Sequence, residues 1–228
     1  MSYFFKSLFA KDDNNIKLVI FDFDGTLADT RKLIVEILRK HFATFNISFT
    51  TNLLKTLGNS PLRDYLSIAG IKKDLVNSVA KAIENDFVNE YERINLAKNF
   101  YSVKEIYCRK VIVSNNVTEF IERILEKIEV NFFDGVYGAD HFTDKIHAIR
   151  NLCKKYKLSP KEIIYVGDKD EDVLVAREIG CYSVIVCNKI AWSSKEEVEK
   201  MKPDFMIKDL SGLHRVIQHI NMSEIPII

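Results

Sequence analysis

A chain of 228 residues can bury a sizeable core without disulfide or metal staples, either as one domain or as one domain carrying a smaller insert. With 33 lysines and arginines against 32 aspartates and glutamates, a net charge of +1 gives no electrostatic ground for nucleic acid or an anionic membrane as partner. Cys108, Cys153, Cys181 and Cys187 lack C-x-x-C spacing and read as reduced structural thiols, and no apolar run approaches the roughly 18 residues of a membrane-spanning helix. The expectation is a cytoplasmic protein, monomer or homodimer, with no membrane partner.

In chain order, the aromatic-rich start from Tyr3 to Phe9 is too short for a signal segment and has no cleavage pattern after it. Lys17-Leu18-Val19-Ile20-Phe21 is then a β-branched apolar run that stops at Asp22. From about Asp29 to Phe100 the pattern is helical. Leu33, Ile34, Ile37, Leu38 and Phe42 form one stripe, and Leu53–Leu57, Leu62–Ile68 and Leu75–Val88 continue without a convincing strand. Three further apolar strands follow, at Val111–Val113, Ile163–Val166 and Ser183–Val186. Helical spacings separate them at Ile121–Ile128 and Ile146–Tyr156, and a third helix ends at Gly180, a left-handed cap. Continuous apolar strands alternating with helices predict an α/β fold with a doubly wound, Rossmann-like parallel sheet. The helical block interrupting it predicts a cap domain at residues 29–100, inserted between core segments 1–28 and 101–228.

The chemistry-bearing residues collect where these strands end. Asp22-Phe23-Asp24-Gly25-Thr26 places two carboxylates two positions apart at a carboxyl edge, where open α/β sheets bind ligands. Gly25 permits a turn and a close approach of backbone N–H groups to an anion, and Thr26 adds a hydroxyl. The second strand ends Ser114-Asn115-Asn116, the third ends Gly167-Asp168-Lys169-Asp170-Glu171-Asp172, and Lys145 opens the helix between them. Each has a plainer explanation alone: a turn, a helix cap, a solvated acidic loop, a solvent-facing lysine.

Taken in order, Asp22-x-Asp24-Gly25-Thr26, Ser114, Lys145 and Gly167-Asp168-x-x-x-Asp172 resemble the haloacid dehalogenase superfamily, in particular its phosphoglycolate-phosphatase-like branch with a helical cap after the first motif. The resemblance covers nearly the whole chain. It implies a phosphatase acting on a small phosphorylated metabolite, with Asp22 attacking phosphorus to form an aspartyl phosphate and Asp24 as general acid and then base. Gly25, Thr26, Ser114, Asn115 and Lys145 would bind the phosphoryl group. Mg²⁺ would be held by Asp22, the backbone carbonyl of Asp24, and Asp168, with Asp172 a partner of metal-bound water or of Lys145. Asp24 favours phosphate esters, because dehalogenation needs no leaving-group acid. Two departures stand out: Lys169 lies where relatives often carry serine, and Tyr101–Lys110 lacks the usual Pro-Gly and is shortened.

Selection of the leaving group falls to the cap. Gly58–Arg63 resembles the loop that related caps lower over the site, with Arg63 or Lys55 expected to pair with a substrate carboxylate or second phosphate. A phosphomutase using the same motifs and a non-catalytic binding protein retaining the fold are the alternatives.

Overall fold

The computed structural model describes residues 15–223, so the aromatic start at Tyr3–Phe9 lies outside the described residues. Six parallel strands form the main sheet: β1 Leu18–Phe21, β4 Arg109–Val113, β5 Gly135–Tyr137, β6 Ile163–Gly167, β7 Tyr182–Val186 and β8 Phe205–Ile207, in the order β5-β4-β1-β6-β7-β8. After β1 the chain winds outward through β4 and β5, then returns to β6 on the other flank. The winding therefore reverses beside β1, the position at which open α/β sheets bind ligands. The predicted α/β fold is present.

The alternation of side chains along each strand explains why both faces are covered. Val19, Phe21, Ile112, Ile164 and Val166 point to one face, joined by Phe120, Ile121 and Ile124 of helix α5 Thr118–Lys127 and by Leu213, Val216 and Ile220 of α9 Leu213–Ser223. Leu18, Ile20, Val111, Ile163 and Tyr165 point to the other. There they meet Ile149 and Leu152 of α6 Lys145–Tyr156 and Ala176 and Ile179 of α7 Asp170–Ile179. α8 Lys195–Met201 packs Val198 beside Val173 and Ile185. Among the described residues no helix is long and apolar enough to cross a membrane.

Between β1 and β4 the chain passes through a two-stranded antiparallel ribbon, β2 Ala28–Asp29 against β3 Asn95–Leu96, tied further by Ala97 N–H donating to the Leu27 carbonyl at 2.9 Å. Four helices lie between the ribbon strands: α1 Arg31–Thr44, α2 Thr51–Thr56, α3 Leu62–Ile68 and α4 Val76–Asn89. α1 buries Leu33, Ile34, Ile37, Leu38 and Phe42, the stripe its periodicity predicts, and α4 buries Val79, Ala80, Ile83 and Phe87.

Sequence periodicity does not register β2, β3, β5 or β8. They run two or three residues each, and β5 and most of β8 are only half-buried edge positions without a continuous apolar run. The shortened stretch before β4 forms a 3-10 helix, Phe100–Glu105. In its place an aromatic cluster fills the volume: Phe100 lies 5.8 Å from Phe132 and 6.2 Å from Phe133, and Phe133 meets Phe21 edge-on at 5.9 Å. Phe100→Ala is expected to cost about 3–5 kcal/mol of unfolding free energy, whereas Tyr107→Ala at a fully exposed site should change it by less than about 0.5 kcal/mol. Urea unfolding of the two variants checks the contrast, and equal effects would mean that the cluster does not support β4.

Candidate active site

β1 delivers Asp22 to the carboxyl edge of the sheet, where its N–H continues the ladder by donating to the Val166 carbonyl at 2.8 Å. The side chain is buried. Lys145 Nζ donates to Asp22 Oδ2 at 2.6 Å, while the Phe23 N–H donates to Oδ1 at 2.7 Å. Lys145 reaches this point because Asp144 caps α6, accepting from the His147 N–H at 2.7 Å, which fixes the first helical residue over the sheet edge. The plainer, solvent-facing reading of Lys145 does not hold: the residue is 6% exposed, with Asp172 Oδ1 3.6 Å from the same ammonium.

After Asp22 the chain turns at Gly25, whose φ of +78° lies in the left-handed region. A β-carbon there would sit 2.3 Å from Asp168 Oδ2 and 2.5 Å from Trp192 Cδ1, so glycine is also demanded by space. Asp24 remains partly exposed and turns toward the end of β4. It accepts from Ser114 Oγ at 3.3 Å and from Asn116 Nδ2 at 3.2 Å. Their oxygens meanwhile accept the Asn116 and Val117 N–H groups leading into α5, and Asp140 Oδ1 accepts from both the N–H and the hydroxyl of Thr118 at 2.8 Å.

The acidic loop after β6 divides between scaffold and site. Asp172 Oδ2 accepts the N–H groups of Asp168 and Lys169, each at 3.0 Å, closing the first turn of α7, and Oδ1 accepts the Tyr165 hydroxyl at 3.1 Å. Gly167 makes room, since a β-carbon there would lie 2.2 Å from Asp172 Oδ2. Asp168, fully buried, accepts from Thr26 Oγ1 at 3.0 Å and from the Trp192 N–H at 2.6 Å.

Asp22, Asp168 and Asp172 each offer an oxygen within 4.8 Å of the others, the only such grouping of potential metal ligands among the described residues. Three buried carboxylates beside one ammonium leave excess negative charge on hard oxygens, and this donor set fits a divalent cation of the magnesium or calcium kind. The titration of the site carries the same imbalance. Burial pushes Asp22 up to about 6 despite Lys145, with Asp172 and Asp24 adding to the rise. Burial likewise raises Asp24 against the hydrogen bonds from Asn116 and Ser114, and raises Asp168 further with help from Asp172 and Asp22. Burial works to lower Lys145, but the carboxylates of Asp22 and Asp172 outweigh it and hold the ammonium well above its ordinary value.

The structure thus brings Asp22, Asp24, Gly25, Thr26, Ser114, Lys145, Asp168 and Asp172 together, with some hands differently occupied than expected. Thr26 turns its hydroxyl to Asp168, and Asn115 gives its amide to the Gly58 carbonyl at 2.9 Å. Asn116 serves Asp24 instead. The carboxylate of Asp24 stands outside the three-aspartate group, whereas Asp172 is within it. Lys55 is exposed and does not line the cavity beside Asp24. Arg63 does line it, but its guanidinium is clamped by Glu84, with bonds of 2.8 and 3.3 Å to the two carboxylate oxygens.

Lys169, the departure noted in the sequence, is buried and reaches across to the α2–α3 loop, donating to the Leu57 carbonyl at 2.8 Å and to Asn59 Oδ1. Trp192 completes the contact. Its ring underlies Gly58, where a β-carbon would meet Cζ3 at 2.9 Å. Trp192 lies in the loop after β7, outside every motif, and being the chain's single tryptophan is the one signal the sequence offers for it.

A family model described as haloacid dehalogenase-like hydrolase matches residues 19–186. The chain is 25% identical over 222 residues to the phosphoglycolate phosphatase of Vibrio vulnificus (strain YJ016), covering 89% of this chain and 96% of that protein. It is also 25% identical over 225 residues to the pyrophosphatase PpaX of Bacillus cereus (strain G9842), covering 91% and 99%. The solved structure of a haloacid dehalogenase-like family hydrolase from Streptococcus pneumoniae superposes with a TM-score of 0.72 at 20% identity, over 90% of this chain and 98% of that one. The matched span runs from β1 to the end of β7 and contains every residue of the buried cluster: the chain belongs to the haloacid dehalogenase-like hydrolase family.

Proposed function

We propose that the protein is a magnesium-dependent phosphoric monoester hydrolase that works through an aspartyl phosphate on Asp22. The observation that carries this reading is the 2.6 Å pair of Lys145 with Asp22, buried at the end of the central strand, with Asp24 two residues on and Ser114 opposite. The named activities of the Vibrio and Bacillus relatives, a phosphoglycolate phosphatase and a pyrophosphatase, support phosphoryl chemistry. Residues 29–100 serve as the cap and residues 1–28 and 101–228 as the core.

In the first step an Asp22 carboxylate oxygen forms a bond to phosphorus as the ester P–O bond breaks, and Asp24 gives its proton to the departing alkoxide. Burial keeps that proton on Asp24 at higher pH than an ordinary aspartate would, as a donor requires. In the second step Asp24 takes a proton from water whose oxygen attacks phosphorus. The Asp22–phosphorus bond breaks, and inorganic phosphate leaves. Ser114 and Lys145 hold phosphoryl oxygens, and the ammonium also keeps Asp22 ionised. Asp22, Asp168 and the Asp24 backbone carbonyl would hold Mg²⁺, which when bound screens the nucleophile from the substrate's charge and stabilises charge on the phosphoryl oxygens.

Asp22→Asn is expected to lower phosphate release from small monoesters at least about a thousandfold while leaving the thermal unfolding midpoint within a few degrees. EDTA should abolish turnover and Mg²⁺ restore it. Phosphate release equal to alcohol release separates hydrolysis from a mutase, and unchanged turnover in Asp22→Asn would end the proposal. Asp24→Asn is expected to slow alkyl phosphates more than p-nitrophenyl phosphate, whose leaving group needs no proton. Equal losses for both, read from the pre-steady-state burst of alcohol release that precedes the shared second step, would remove Asp24 from the acid role.

A further inference from the structure

The cavity above Asp24 is bounded by the sheet edge on one side and by α1, α3, α4 and the α2–α3 loop on the other. Ile34, Leu38, Leu57, Leu62, Phe87 and Trp192 give it an apolar wall. Ser60, Asn115 and Asn116 supply neutral polar atoms, with the Asn115 amide donating to the Gly58 carbonyl and that of Asn116 to Asp24. Besides Asp24, the charged lining residues are Arg63 and Glu84, and they are bonded to each other in a two-pronged clamp. The Glu84 side chain is 16% exposed and that of Arg63 46%, so the carboxylate is the more enclosed partner. Two cations outside the lining are also engaged: Lys169 on the Leu57 carbonyl and Asn59, and Lys145 on Asp22.

We propose that Glu84 sets leaving-group specificity: by neutralising Arg63 it selects phosphomonoesters of uncharged, largely apolar alcohols and rejects those whose leaving group carries a carboxylate or second phosphate. The inference rests on the phosphatase reading above. An anionic leaving group entering this cavity would face the Glu84 carboxylate and an Arg63 already bonded to it, with no unpaired cation in the lining to meet it, and an enclosed charge without a partner is strongly disfavoured. An alkyl group meets the apolar wall and leaves the Arg63–Glu84 clamp undisturbed. This specificity differs from that in the names of the Vibrio and Bacillus relatives, whose substrates both carry a second anionic group.

The test compares kcat/KM for phosphoglycolate and for n-propyl phosphate, a neutral-tailed ester of similar size, with Mg²⁺ present. The wild-type protein is expected to prefer n-propyl phosphate. Glu84→Gln, which keeps a hydrogen-bonding partner for Arg63 but removes the charge, should move the ratio toward phosphoglycolate by about tenfold or more, the worth of one charge-assisted contact. The Arg63→Met, Glu84→Gln double variant should lose that gain. A wild-type preference for phosphoglycolate overturns the inference whether or not the variants fold. So does a ratio unmoved in Glu84→Gln, or a gain that survives loss of Arg63. No turnover of either ester by the wild-type protein would sink the phosphatase reading itself, whereas turnover with the opposite preference would sink only the specificity.

Discussion

Crowding of like charge at one sheet edge is the constraint to which the rest of the molecule answers. Asp22, Asp168 and Asp172 converge within a few ångströms in a region from which water is nearly excluded, and one ammonium, Lys145, faces them. Such an arrangement is costly to a fold and persists where function requires it. Its neighbours are chosen accordingly. Every carboxylate oxygen that can be given a backbone or hydroxyl donor has one: Phe23 for Asp22, Thr26 and Trp192 for Asp168, and the first turn of α7 for Asp172. Gly25 and Gly167 are small because carboxylates occupy the space their side chains would take.

The parallel sheet makes this convergence possible with few residues. Strands β1, β4 and β6 lie side by side in register and all end at the same edge, so residues more than ninety positions apart in sequence arrive together. Helix starts finish the arrangement, with Asp144 capping the helix that Lys145 opens and Asp140 holding Thr118 beside the strand end that presents Ser114 and Asn116 to Asp24. The caps are thus as much a part of the site as the groups that touch it.

The central strands and the helical stripes were legible in the sequence because burial on both faces leaves unbroken apolar runs, and burial on one face leaves a 3.6-residue period. The edge strands β5 and β8 and the ribbon β2–β3 were not, since two or three half-buried residues leave neither pattern. The acidic and hydroxyl residues of the site were legible by their place at strand ends. What they hold was less so. Thr26 faces Asp168, Asn115 is tied to Gly58, and Arg63 is held by Glu84, each partner coming from a different element. A motif records which residue types meet, while the partner each hydrogen bond selects depends on packing between segments remote in sequence. Lys169 shows the same limit: its position marked a departure, but its target, the Leu57 carbonyl 112 residues away, could not be read from the chain.

Trp192 gives this architecture an unusual optical property. It is the only tryptophan in the chain, its ring underlies Gly58 of the α2–α3 loop, and its backbone N–H donates to Asp168. Emission excited at the red edge of the absorption band comes from this residue alone, without the nine tyrosines. The indole therefore sits as a built-in fluorophore at the seam where the helical segment meets the acidic cluster, and its spectrum registers the packing of that loop and the charge on Asp168.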